Sequence, residues 1–142
     1  MEADKPNWYD SLNGLPALLG SSLNETFELK RLILIIKEAI TKTGIGKISV
    51  TQEIYDFLIN LDKLMQECLH NKSADKEYLY WDRSHALKED YRHKTRFGFS
   101  GRELEIESGA LKIILDNALE KVNLGIGKAL DKKRNIYYAY FI

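Results

Sequence analysis

Apolar residues recur at three- and four-residue intervals over most of this chain, and polar or glycine-containing breaks divide them into four helical stretches. The first follows an opening loop over residues 1–22. Ser22-Leu23-Asn24-Glu25 has the spacing of a capping box, Glu25 and Glu28 put negative charge in the early turns, and Gly44 is a natural stop. Within this stretch Leu32 to Ile36 is apolar around the whole circumference, so the helix is expected to need neighbours on more than one side. A second capping-box spacing, Ser49-Val50-Thr51-Gln52, opens a stripe of Ile54, Phe57, Leu58, Leu61, Leu64, Met65 and Cys68, ended by the polar run from His70 to Ser73. The third stretch differs in character. Its apolar positions are mostly aromatic (Tyr78, Tyr80, Trp81, Tyr91), with charges of both signs between them. The fourth begins near Ser108 and carries Leu111, Ile114, Leu115, Ala118, Leu119, Val122, Ile126 and Ala129, with Gly125 and Gly127 inside the pattern. Helices are therefore predicted over about 23–43, 50–70, 74–95 and 109–131, with extended pieces at 102–107 and 136–142.

This pattern predicts a mainly α fold of antiparallel helical hairpins in a single domain or fragment spanning 1–142. Gly125 and Gly127 are expected to admit another backbone closely. The closing run Ile136-Tyr137-Tyr138-Ala139-Tyr140-Phe141-Ile142 reads as a strand whose partner has not yet appeared, an edge that invites a partner chain or self-association.

Composition narrows the function classes. Lys plus Arg and Asp plus Glu balance at 21 each, which gives no field to draw the chain to nucleic acid or an anionic membrane. The longest wholly aliphatic run, Leu32 to Ile36, is far too short to span a bilayer. With no basic leader followed by an apolar stretch, the cytoplasm is the expected location. Cys68 is alone, so no internal disulfide and no multi-cysteine zinc site is expected, and its place on the stripe makes it a core thiol. His70, His85 and His93 lack the spacing of a helical metal site, so neither metal nor cofactor is expected. Gly-Ile-Gly-Lys occurs at 44–47 and 125–128, but each lysine is followed by an aliphatic residue and not by Ser or Thr, which rejects a phosphate-cradling loop.

Two features survive. The first is a repeated pairing of aromatic and carboxylate, Trp8-Tyr9-Asp10 and Tyr80-Trp81-Asp82-Arg83. A pyranose has a face of C–H bonds that lies on an indole, and a rim of hydroxyls that carboxylates, amides and arginine bind. Trp8, Tyr9 and Asn13 with Trp81, Asp82 and Arg83 are thus candidate sugar contacts; the competing expectation is a rigid capping loop, with Trp81 packed on the first or second helix. Asp10 is the one acid nominated for catalysis. Inverting sugar chemistry needs a carboxyl pair, so turnover by this chain alone is not expected. The second feature is Arg92-His93-Lys94-Thr95-Arg96 at a helix end, where Arg92, Lys94 and Arg96 complement the dipole or hold an anion such as phosphate.

Three segments carry a family resemblance: Trp8 to Ser22 running into Glu25-Thr26-Phe27-Glu28-Leu29-Lys30-Arg31; Trp81 through Lys88-Glu89-Asp90-Tyr91-Arg92-His93-Lys94-Thr95-Arg96; and Val122 to Leu130 leading into the Tyr-Phe ending. In these the chain resembles an internal segment of large bacterial cellobiose-phosphorylase-like proteins. The resemblance implies part of an (α/α) toroid of helical hairpins in a protein acting on β-linked glucosides by phosphorolysis or a related transfer. It assigns the family's general acid to no residue here. The alternative expectation is a non-catalytic helical module for protein–protein interaction.

Overall fold

The structure is a computed structural model that describes the backbone of residues 21–141 and the side chains of 23–139. Trp8, Tyr9, Asp10 and Asn13 lie outside these described residues, as does the Ser22 side chain expected to cap the first helix. Four helices dominate: α1 Leu23–Thr43, α2 Gln52–His70, α3 Lys76–Thr95 and α4 Ser108–Lys128. Short strands punctuate them: β1 Ser21–Ser22, β2 Lys47–Thr51, β3 Glu103–Glu107, β4 Leu130–Asp131, β5 Ile136–Tyr137 and β6 Tyr140–Phe141. The fold is mainly α. No helix among the described residues is long and apolar enough to cross a membrane.

The chain divides into two compact units, one comprising residues up to 36 and from 119 onward, the other residues 37–118. In the first, Leu23, Ile126 and Ala129 are buried together with Val122 packed against them, and Phe27 meets Tyr137 edge-on with ring centroids 5.3 Å apart. The closing run finds its strand partners within the chain. β5 pairs antiparallel with β4, β6 pairs antiparallel with β1, and the Leu23 N–H donates to Ala139 O at 2.9 Å. Asp131 makes this return possible. Its Oδ1 accepts the N–H groups of Lys133 and Arg134, and Asn135 then takes the left-handed conformation (φ 53°) that Asn tolerates in tight turns. The same return explains why the fourth helix ends at Lys128 and not near 131: Tyr138 N–H takes Ala129 O at 3.0 Å, and β4 follows.

In the second unit β2 and β3 form an antiparallel ladder with Ile48 opposite Ile106 and Val50 opposite Leu104. Both strands alternate, so those four side chains share one face while Lys47, Ser49, Glu103, Glu105 and Glu107 share the other. Lys47 Nζ bonds Glu105 at 2.9 Å and lies 3.4 Å from Glu107, which raises the ammonium pKa above its ordinary value. β2 was not foreseen as a strand. Its Ser49-Val50-Thr51-Gln52 does not cap α2: Ser49 Oγ donates to Glu103 at 2.6 Å, Thr51 makes no capping bond, and the Gln52 N–H is satisfied by Arg102 O at 2.8 Å.

Ile40, Met65, Ile106, Leu111 and Ile114 are buried in this unit, as is Cys68, the expected core thiol. Asp62 is buried on the same helix as Met65 and Cys68, and accepts from Gln66 Nε2 at 2.6 Å and from Asn117 Nδ2 on α4 at 2.8 Å. A buried carboxylate satisfied by two amides avoids the cost of an unpaired charge. Lys37 and Asp116 pair between α1 and α4.

Candidate functional site

The antiparallel α2–α3 hairpin carries the candidate site residues that fall among those described. Its connection is built from local bonds: the Asn71 N–H closes α2 on Glu67 O, Asn71 Oδ1 accepts the Ser73 N–H, and Ser73 Oγ accepts the Asp75 N–H. α3 contains no fully buried residue. Tyr80, Ser84, Leu87, Tyr91 and Thr95, at three- and four-residue steps, are half-buried and form its stripe toward α2, where Tyr91 meets Phe57 with centroids 4.9 Å apart. Apart from Leu79 and Ala86, the other faces of this helix carry polar groups and aromatic rings.

Trp81 belongs to that outer surface. It is 49% exposed and does not sink against the first or second helix. Its ring lies 6.0 Å from Tyr78 at 34° and stacks on His85 at 5.8 Å and 17°. Three rings therefore follow one another along α3, over a helical rise of about 10 Å from position 78 to 85. Asp82 is exposed one residue further round, and Arg83 reaches back to α2, bonding Glu67 at 2.9 Å. The residues read together from sequence thus separate: Trp81 and Asp82 remain at the surface, while Arg83 ties the two helices.

The basic cluster at the end of α3 is largely engaged by its own helix. Arg92 pairs with Glu89 at 2.9 Å, Lys94 pairs with Asp90 at 2.7 Å, and the Arg96 guanidinium stands over the Phe97 ring at 5.3 Å. The Asp90 hydrogen bond raises the Lys94 pKa above its ordinary value.

One concavity was not anticipated. Where α2 begins and α3 ends, Glu53, Asp56, Phe57 and Asn60 of one helix face Leu87, Asp90, Tyr91 and Lys94 of the other around a cleft of about 430 Å³. Each set repeats as i, i+3, i+4, i+7, a signal present in the sequence from which the cleft could have been found. Ser100 closes the rim by donating its N–H to Glu53 Oε1 at 2.8 Å. Bonding to Ser100, chiefly, holds the Glu53 carboxyl below its ordinary value of 4.5. The Thr51 hydroxyl adds a smaller pull the same way, although neither Thr51 Oγ1 nor Glu53 Oε2, both buried, completes a hydrogen bond of ordinary geometry. Among the described residues no group of three or more His, Cys, Asp or Glu converges as a metal site.

Neither a protein-family model nor a curated protein matches this chain.

Proposed function

We propose that this chain is a helical portion of a carbohydrate-active protein, of the kind its cellobiose-phosphorylase-like segments resemble, and that it binds β-linked glucosides. The Tyr78–Trp81–His85 ladder carries this reading. Rings buried for stability give their faces to aliphatic neighbours, whereas these are held in register at the surface of a helix whose packing stripe lies elsewhere. A run of rings about 10 Å long offers a surface on which the C–H faces of a disaccharide lie, and Asp82 supplies a carboxylate for its hydroxyls. Trp8, Tyr9, Asp10 and Asn13 have the same chemistry and are assigned to the same ligand. Arg92, Lys94 and Arg96 lie about 10 Å or more beyond His85 along the helix direction and are held by their own partners, so they add no contact at the ladder. Catalysis by this chain is not part of the proposal.

The test uses the Trp8→Phe variant, which leaves Trp81 as the single tryptophan. Titration with cellotetraose should change Trp81 emission saturably, and loss of the Tyr78 ring in Tyr78→Ala should weaken the interaction about fivefold to tenfold. An emission spectrum indifferent to the sugar refutes the reading.

A second reading, an interaction module, has its own support. Leu32, Leu34 and Ile35 of α1 are 52%, 46% and 48% exposed, although an all-round apolar segment was expected to be covered; within that run Ile33 is buried.

A further inference from the structure

The cleft between the start of α2 and the end of α3 is separate in residue content from the aromatic ladder, and nothing above assigns it a ligand. We infer that it is a second binding site, made for one neutral pyranose unit and selective against phosphorylated sugars. The inference takes its ligand class from the proposed function and adds a location, a geometry and a charge rule.

Shape comes first. About 430 Å³ falls within the range of small-molecule sites and leaves room for a sugar ring with its hydration water. The tilted Phe57–Tyr91 pair supplies the apolar surface inside it, with ring planes at 42°. Tyr91 is half-buried, held by its contact with α2, so its ring is already oriented before a ligand arrives.

Charge and hydrogen-bonding capacity decide the class. The lining contains three carboxylates, Glu53, Asp56 and Asp90, against one ammonium, Lys94, which Asp90 already binds. Glu53 Oε1 already accepts the Ser100 N–H and its Oε2 is buried, so this carboxylate brings negative charge to the rim and not a free acceptor. Asp56 is exposed, and the Asn60 Nδ2 that approaches it is directed to its backbone oxygen, which leaves the Asn60 carbonyl oxygen turned to other donors. The cleft is therefore anionic, with acceptors at Asp56 and Asn60 and donors at Gln52 and the Tyr91 hydroxyl. A ligand that fits must bring hydroxyls, which both donate and accept, around an apolar face, which describes a pyranose. A phosphate would bring two further negative charges into a rim that is already anionic, where repulsion is strongest at low salt.

The experiment is chemical-shift mapping on the full-length 15N-labelled chain, titrated separately with cellobiose and with glucose 1-phosphate. The inference expects cellobiose to move the amides of Asn60, Asp90 and Tyr91, with glucose 1-phosphate at least about tenfold weaker at the same amides. Tyr91→Ala should weaken cellobiose at the cleft by about tenfold. Should that variant lose its fold, Asp56→Ala at an exposed position must also weaken binding while leaving the spectrum otherwise native. Shifts confined to Tyr78, Trp81 and His85 overturn the cleft and leave the proposed function standing. Shifts at the cleft that Trp81→Ala does not alter sustain the cleft alone. Equal binding of the phosphate overturns the selectivity, and a spectrum unmoved by either sugar removes both proposals.

Discussion

Glu53 shows how one side chain joins two structural tasks. It sits in the first turn of α2, where a negative charge complements the helix dipole, and it also receives the Ser100 N–H from the loop that precedes β3. Because its folded-state pKa is lowered, its contribution to stability is complete above the unfolded value of about 4.5 and is lost as pH falls through the folded value below that. The stability difference between the natural chain and Glu53→Gln should accordingly be present at neutral pH and shrink below about pH 4.5, read from urea-denaturation midpoints across that range. A difference that stays constant with pH would assign the residue a packing role only. At this same scale Trp81 could be singled out from sequence but not placed. Aromatic residues at helical spacing serve a core and a surface equally, and only the half-buried stripe from Tyr80 to Thr95 shows which way the ring turns.

Among the elements, α1, α2 and α4 were legible because apolar spacing reports burial directly; α2 buries Met65 and Cys68 from its expected stripe. β3 was legible through strict alternation in Glu103–Glu107. β2 was not. Ser and Thr suit both a helix cap and a strand face, and a five-residue strand is settled by a partner more than fifty positions away. The glycines of α4 gave the opposite error. A Cβ at Gly125 or at Gly127 meets nothing within 4 Å, so neither serves a close approach among the described residues. Gly125→Ala should therefore raise stability by about 0.5–1 kcal/mol through helix propensity, measured as a shift of the thermal midpoint. Loss of stability would mean the position is constrained by something other than propensity.

At the scale of the whole molecule, charge balances over the full sequence, and the described surface carries exposed apolar side chains. Several of these are clustered in α1, at Leu32, Leu34 and Ile35. The two readings of function part here. A sugar-binding portion is expected to sediment as a monomer whose mass is unchanged in Leu34→Glu, whereas an interaction module should form a larger species that this substitution dissolves. Analytical ultracentrifugation of the two proteins distinguishes them. The domain-scale class, mainly α, and the extended character of the closing run followed from sequence, whereas its pairing did not: the partners β1 and β4 are two residues each, below the length at which alternation is readable.

The bond from the Gln52 amide to Arg102, and its counterpart from the Ser108 amide to Gly46, mean that α2 and α4 each borrow an acceptor for their opening residue from the opposite side of the β2–β3 ladder. Neither helix is autonomous at its origin. Excised as a peptide, the segment 52–70 would leave its acceptor behind and fray from the front, since short isolated helices are marginal in water. Assembly of the hairpin of strands and initiation of the two helices must consequently be a single concerted event, and damage to either strand will be felt first as unwinding at a helix start some fifty residues distant.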